Sequence, residues 1–599
     1  MRSNKFPALV VFLSLAIVPH GLSATNQSTT SLKLLGTSKI GSRASSAGTE
    51  NGFEFRVGPD VDKNFNKQIS GSIAPARVPA DHVPKPAGNA VTTANSGFFG
   101  FDGITHFDQR FAGTGIYTNT QFSLEPPDQG LAVGNGFVLE VVNNALAVYD
   151  TSGNRLSGPT AMSQFFGLAP EIVRPSGPFG PFVSDPKAYF DSDTQRWFLT
   201  EAVLDVDPTT GNFTGTTGVL IAVSQTPDPT KPFNLFRLDT TDNTGTPDHP
   251  GCPCLGDQPL IGADANGFYI STNEFPLFQA GFNGAQIYAM SKTTLAAGSP
   301  PPVIHFRSLN FAPGLPFFSV QPATTPPGGS FETANGGTEY FLSSLDFSST
   351  LTNQIAVWAM TNTSSLNDAK PNPTLKTVVI DSEVYGQPPD GQQRPGPTPL
   401  ATVFIPQIFG GKTPPTEKLE LIAGNDDRMN QVVFADGKLW SGVNSVVKTP
   451  NGPTRIGIAF FIVTPSVSGG TLAASVGKQG YVAVNQNNVL FPSIGVNAAG
   501  KGVMSFTLVG PSFFPSAAYA AVDAVTGAGD VHIASSGAGP DDGFTGYHFF
   551  GGFRTARWGD YSAAVAGPDG TIWLATEYIP NKPRSVLANW GSFISSVTP

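Results

Sequence analysis

Five aspartates in the sequence each stand a few residues ahead of a short β-forming run: Asp128, Asp185, Asp257, Asp427 and Asp560. Carboxylates gathered around one opening would form an acidic ring suited to Ca²⁺ or to hydroxyl-rich ligands. Crowding also raises carboxyl pKa values, so two of the five could act as acid and base on a glycosidic bond. The structural alternative is that each Asp caps its own turn by accepting backbone N–H bonds. Arg557 and Trp558 precede Asp560 and add a cation and a ring able to stack on a sugar. Arg394 lies in a long insertion, about 383–425, that is either a lid reaching over the same opening or a rigid surface loop.

A second constellation is Asp248-His-Pro-Gly-Cys-Pro-Cys-Leu-Gly-Asp257, which holds the only two cysteines, Cys252 and Cys254. With His249 they could hold a soft metal. In an exported chain thiols oxidise, and a disulfide across the intervening proline is the other reading. No Walker loop, His-Glu-x-x-His or Gly-x-Ser-x-Gly is present.

The elements that must position these residues follow from a repeat. An Asp, a short β-type run, a Gly/Asn/Asp turn and a longer apolar run recur as Asp128-Gln-Gly-Leu-Ala-Val133 with Gly134-Asn-Gly136 and Phe137 to Val142, and again from Asp185, Asp257, Asp427 and Asp560. Two weaker copies, around Val320 and from Phe491, complete seven, and two further apolar runs follow each copy. Trp197, Trp440 and Trp573 recur 12 or 13 residues after their Asp, which assigns them to packing. Seven four-stranded antiparallel units are best satisfied radially, so the expected fold is an all-β, seven-bladed β-propeller spanning 96–599. Only about one strand fits after Tyr578. The segment near 96–107, with Phe98-Phe-Gly-Phe101, is therefore expected to complete the last blade.

Composition agrees. Gly 67 and Pro 53 among 599 residues exclude a long-helix protein, while 40% hydrophobic residues and 46 Phe exclude a disordered one. The 44 acidic and 34 basic side chains give a net charge of −10, which disfavours nucleic acid and anionic membrane as partners. Arg2 and Lys5 ahead of the apolar run Ala8 to Val18, then Gly21-Leu-Ser-Ala24, read as a signal peptide over 1–24, so the mature chain is expected to be secreted, extracellular or periplasmic. No later apolar stretch is long enough for a membrane span. Residues 25–95, rich in Ser, Thr, Gly and Pro, read as a linker or disordered arm.

Pro126-Pro-Asp-Gln-Gly-Leu-Ala-Val-Gly134, Asp185-Pro with Arg196-Trp197, Phe491-Pro-Ser-Ile and Arg557-Trp-Gly-Asp-Tyr561 resemble a group of secreted bacterial proteins of unassigned activity, described as sialidase-like propellers. The resemblance covers about 98–590 and implies a propeller and export. The sialidase Asp-box is only echoed, in Asp569-Gly-Thr-Ile-Trp573 and Asp191-Ser-Asp-Thr-Gln-Arg-Trp197, so sialidase activity is not implied. The expectation is an exported propeller that binds a glycan or other surface ligand at its channel mouth, with Ca²⁺ as the candidate cofactor. The alternatives are a glycoside hydrolase using paired Asp carboxylates and a non-catalytic structural or adhesion module.

Overall fold

The computed structural model describes the chain except residues 1–21, 24–25, 42–52, 57–77, 96, 243–247, 313–314, 346–350, 409–418 and 420. Most of the expected signal peptide lies outside the described residues. The protein is mostly β.

Among the described residues the strands ahead of the repeats include β1 (Asn26–Ser38), β2 (Val91–Thr93) and β3 (Phe99–Thr105). Seven antiparallel meanders follow among the described residues. The first comprises β4 (Gly130–Gly134), β5 (Phe137–Val142), β6 (Ala145–Asp150) and β7 (Arg155–Ala161). The second has β8 (Phe182–Asp191), β9 (Arg196–Val206), β10 (Phe213–Ser224) and β11 (Phe233–Asp239). The third has β12 (Cys254–Ala263), β13 (Gly267–Pro276), β14 (Gly284–Ser291) and β15 (Pro302–Arg307). The fourth has β16 (Gln321–Thr324), β17 (Thr338–Ser344), β18 (Leu351–Thr361) and β19 (Thr374–Gly386). The fifth has β20 (Val432–Ala435), β21 (Lys438–Lys448), β22 (Thr454–Ser468) and β23 (Thr471–Val482). The sixth has β24 (Asn488–Val496), β25 (Lys501–Gly510), β26 (Phe513–Asp523) and β27 (Val531–Ser535). The last has β28 (Ala563–Ala566), β29 (Ile572–Tyr578) and β30 (Gly591–Val597), and β3 pairs antiparallel with β30 as its fourth strand.

Turn chemistry sets the first hairpin of several meanders. Asn135-Gly136 joins β4 to β5 with φ of 50° and 81°, and Asp436-Gly437 joins β20 to β21 with 51° and 68°. Two consecutive left-handed residues make the tight turn whose twist matches paired strands, and Asn-Gly or Asp-Gly supplies them at least cost. Along each strand alternate side chains face opposite ways, so one meander feeds two cores. In β9, Trp197 packs with Val148 and Leu220, while Phe198 packs with Phe268 and Ile270 of the third meander. Every boundary between consecutive meanders has such an apolar cluster, including that between the seventh and the first, where Trp573 and Ile594 meet Tyr149 and Leu131.

The first strand of each meander lies beside the first strand of the next, and β28 lies beside β4. Side chains in and beside these strands, among them Tyr189, Thr324, Gln431 and Val565, line two small adjoining cavities.

Where residues 25–95 are described, they are not a free arm. β1 pairs with β15 through Asn26–Ser31 and with β11 through Leu32–Ser38, lacing the outer edges of two meanders together. β2 adds to β27 in parallel. An outer edge strand needs only one packed face, so its polar composition conceals it.

Candidate functional site

Three of the five aspartates converge. Carboxylate oxygens of Asp128, Asp185 and Asp560 lie within 4.8 Å of one another, although the residues come from the first, second and seventh meanders. Asp128 ends the loop leading into β4, with φ of 49°. Asp185 sits in a β-bulge of β8, where Asp185 and Pro186 together oppose Glu201 of β9, and its φ is 59°. Bulges of this kind re-aim a side chain out of the pleat. Asp560 follows Trp558 and Gly559 in the loop before β28.

A hydrogen-bond web fixes the three. Asn143 donates to Asp128 Oδ2 at 2.8 Å and accepts the Asp185 N–H at 2.7 Å. The Asp560 N–H donates to Asp128 Oδ1 at 2.8 Å, and Asn425, from the long insertion, donates to Asp560 Oδ1 at 2.8 Å. Tyr561 closes the group by donating to the Pro186 carbonyl at 3.0 Å. Asp185 accepts a bond from its neighbour Ser184, but Asp128 and Asp560 accept theirs from other parts of the chain and the three carboxylates lie close together, so the geometry exceeds turn capping.

Burial governs the charge states. Asp185 is pushed up to about 6, first by burial and then by the charge of Asp560. Asp128 is raised by burial and by Asp185, against the Asp560 N–H that holds it down. Lys187, whose ammonium lies over the Tyr561 ring, is lowered to about 7 by burial despite the neighbouring carboxylates. Glu201 is wholly buried, and among the described residues neither of its carboxylate oxygens has a hydrogen-bond partner. Its pKa is raised well above the ordinary range by burial and then by the charges of Asp185, Glu171 and Asp128. Arg557, 43% exposed, stands at the rim with a guanidinium nitrogen 3.9 Å from Asp560. The arrangement gathers several hard oxygen donors around one point, with Lys187 and Arg557 as the neighbouring cations; such oxygens are of the kind that hold a divalent cation.

The other expected residues lie elsewhere. In the third meander the bulge opposite Thr272 holds Gln258 and Pro259, so Gln258, with φ of 49°, takes the place Asp185 holds in the second, and Asp257 is one position out of phase. Asp427 lies outside the triad as well. Its neighbour Asp426 instead anchors Arg428 through bonds of 2.7 and 2.6 Å, and Arg428 donates to Gln258 at 2.7 Å. Trp558 is not a sugar platform: it is 2% exposed and donates its indole N–H to Thr507 at 3.1 Å. Arg394 does not reach inward but stays exposed, its guanidinium 4.8 Å from the Phe514 ring centre. Trp197, Trp440 and Trp573 are core residues.

Sequence reading missed Lys187, Glu201 and Tyr561. The available signal for Glu201 was a carboxylate inside the apolar run Phe198-Leu-Thr-Glu-Ala-Val203. A charge buried in such a strand is rare without a function or a partner.

The Sγ atoms of Cys252 and Cys254 are joined as a disulfide. Beside it, His249 Nδ1 lies 2.8 Å from Glu274 Oε1.

No family model matches the chain, and no curated protein matches it significantly. Among solved structures it is similar to a protein of unknown function from Dyadobacter fermentans, at 11% identity over 71% of this chain and 97% of that one, with a TM-score of 0.30. It is also similar to a leech intramolecular trans-sialidase, at 10% identity over 68% and 67%, TM-score 0.34. A β-1,3-galactosidase of family GH43 matches at 10% identity over 61% and 97%, TM-score 0.26. Scores this low decide nothing about activity.

Proposed function

We propose that the chain is an exported, seven-bladed β-propeller whose channel mouth binds a divalent cation of the Ca²⁺ class and, through it, vicinal hydroxyls of a glycan. The ring reading rests on the cyclic adjacency of the seven first strands and on the pairing of β3 with β30. The export reading rests on the N-terminal sequence, and no helix among the described residues is long and apolar enough to cross a membrane.

One observation carries the cation: the oxygens of Asp128, Asp185 and Asp560 lie within 4.8 Å of one another, above a buried Glu201 carboxylate with no hydrogen-bond partner among the described residues. That separation is about twice a Ca²⁺–oxygen distance of about 2.3–2.6 Å, so a single ion can satisfy all three. Asp560, on the more open side, leaves that face of the ion to ligand oxygens, with Arg557 at the rim.

The hydrolase reading draws on Asp185, held up to about 6 beside other carboxylates. An inverting pair keeps its carboxyl groups about 6.5–9.5 Å apart, wider than the oxygens found here, whereas a retaining pair stands about 5–5.5 Å apart, which the spacing within 4.8 Å approaches. The hydrolase is therefore the second reading, and binding is put first because a third carboxylate shares the site and one ion can engage all three at once.

Calorimetric titration of the mature protein with CaCl₂, followed by a glycan array with Ca²⁺ and with chelator, tests the reading. One saturable Ca²⁺ site and glycan signals that vanish in chelator are expected. Absence of Ca²⁺ heat and of a Ca²⁺-dependent thermal shift would sink the cation, and release of sugar from chromogenic glycosides would restore the hydrolase.

A further inference from the structure

The third meander carries a different set of donors, independent of the channel mouth. Cys252 and Cys254 flank Pro253 just before and at the start of β12, with Cα atoms 4.4 Å apart. Glu274, on β13 opposite Gly256, points at them: its Oε1 is 3.8 Å from Cys252 Sγ. His249 Nδ1 is 2.8 and 2.9 Å from the two Glu274 oxygens. Asn283 holds the group together by donating to Glu274 Oε1 at 2.8 Å, with the same nitrogen 3.4 Å from Cys254 Sγ. His249 and Glu274 are 3% and 1% exposed, whereas Cys252 is half-buried and open to attack from outside.

One nitrogen, one carboxylate oxygen and two sulfurs are thus already within a few ångströms, a spacing that a tetrahedral ion with Zn–S of about 2.3 Å and Zn–N of about 2.0–2.1 Å requires of its ligands. As a disulfide, however, the sulfurs carry no thiolate charge. The geometry points to a redox-gated site for a soft divalent metal of the Zn²⁺ class, closed while Cys252 and Cys254 are oxidised and opened when a dithiol reduces them. A thiolate of the reductant attacks Cys252 Sγ, the Cys252–Cys254 bond breaks, and the reductant's second thiol closes its own disulfide. Two electrons and two protons pass to the protein as two thiols. The metal then displaces those two protons and is held by Cys252, Cys254, His249 and Glu274. Outside the cell the gate stays shut until such a reductant is met.

Cobalt(II) added to the full-length mature protein reads the site directly. After reduction with dithiothreitol and its anaerobic removal, one Co²⁺ per chain more than the untreated protein binds is expected, with a thiolate-to-cobalt charge-transfer band and the intense visible bands of a four-coordinate ion. Untreated protein should show neither set of bands. His249→Gln and Glu274→Gln should weaken Co²⁺ binding by more than about tenfold while both thiols still titrate. Equal uptake by untreated protein, no uptake once both thiols titrate, or the same charge-transfer band in a Cys252→Ser, Cys254→Ser double variant would overturn the proposal. Loss of the fold on reduction, seen by circular dichroism, would overturn it too, because the pairing of β12 with β13 is what places Glu274 beside the cysteines.

Discussion

Asn143 binds Asp185 across a boundary between meanders: its Oδ1 accepts the Asp185 N–H at 2.7 Å, while its Nδ2 reaches Asp128 at 2.8 Å. The same bond recurs where Asn273 Oδ1 accepts from Ser319 at 2.8 Å and Asn444 Oδ1 from Phe491 at 2.6 Å. Asp185, Ser319 and Phe491 all have left-handed φ, between 46° and 59°. A side-chain amide thus pins a left-handed residue in, or just ahead of, the next meander's first strand. Only at the first of these clamps does the pinned residue carry a carboxylate.

Replacing Asn143 with Leu should therefore do two things. Stability falls by about 1–3 kcal/mol, the cost of leaving the buried Asp185 N–H and one oxygen of Asp128 without a partner. Ca²⁺ binding at the mouth is lost as well. Asn444→Leu should show a similar loss in denaturant titration but leave the Ca²⁺ isotherm unchanged. Equal effects of both variants on Ca²⁺ would mean that the clamp acts through general stability.

Glu201 is the reverse case, a residue kept at a cost to the fold. Its carboxylate is buried with no hydrogen-bond partner among the described residues, beside Asp128 and Asp185. Glu201→Met, similar in volume, should raise the melting temperature of chelator-treated protein, with a gain of roughly 1–3 kcal/mol for the removed polar burial. The Ca²⁺-induced shift should shrink at the same time. A variant that melts lower in chelator would show that Glu201 supports the fold.

Glu140 and Glu171 give a pH dependence of definite sign. Both are raised by burial from 4.5 to about 7. The bonds that Glu140 accepts from Tyr149 at 2.9 Å and from the Ile104 N–H at 2.9 Å oppose this without cancelling it. A carboxyl with a higher pKa in the fold than in the open chain keeps its proton longer when folded. Its stabilising effect is complete below about 4.5 and is lost as pH climbs to about 7. Melting temperatures should accordingly decline between these limits, and Glu140→Gln should flatten part of the slope. A curve rising over that window would contradict the burial of these groups.

The repeat was legible because its signals are local: apolar runs of strand length, and Asn-Gly or Asp-Gly where two left-handed residues are needed. What was not legible depended on register. Asp257 matches Asp185 by counting, but each bulge is placed by the residue before its proline, and in the third meander that residue is Gln258. Glu201 lies in a repeated strand, but the position opposite the bulge is Thr272 in the third meander, so its carboxylate gave no recurring signal. β1 was hidden because a strand laid along an outer edge exposes much of its length and can be built from Ser, Thr and Lys. Arg394 could be placed only once its loop's direction was known, and that is set by packing on Phe514.

Arg557 and Trp558 are neighbours with opposite duties, and one pair of variants separates them. Trp558 is 2% exposed, packs in the core between the last and first meanders, and satisfies its indole N–H on Thr507. Its truncation to Ala should cost about 3–5 kcal/mol, as expected for a large core aromatic. Arg557 is 43% exposed and 3.9 Å from Asp560, a surface pair worth about 0–1 kcal/mol. Arg557→Ala should leave the denaturation midpoint nearly unchanged and weaken glycan capture in the presence of Ca²⁺. The array signal per folded molecule should stay intact in Trp558→Phe. A Trp558→Phe protein that folds normally yet loses glycan would place the indole, rather than the guanidinium, at the ligand.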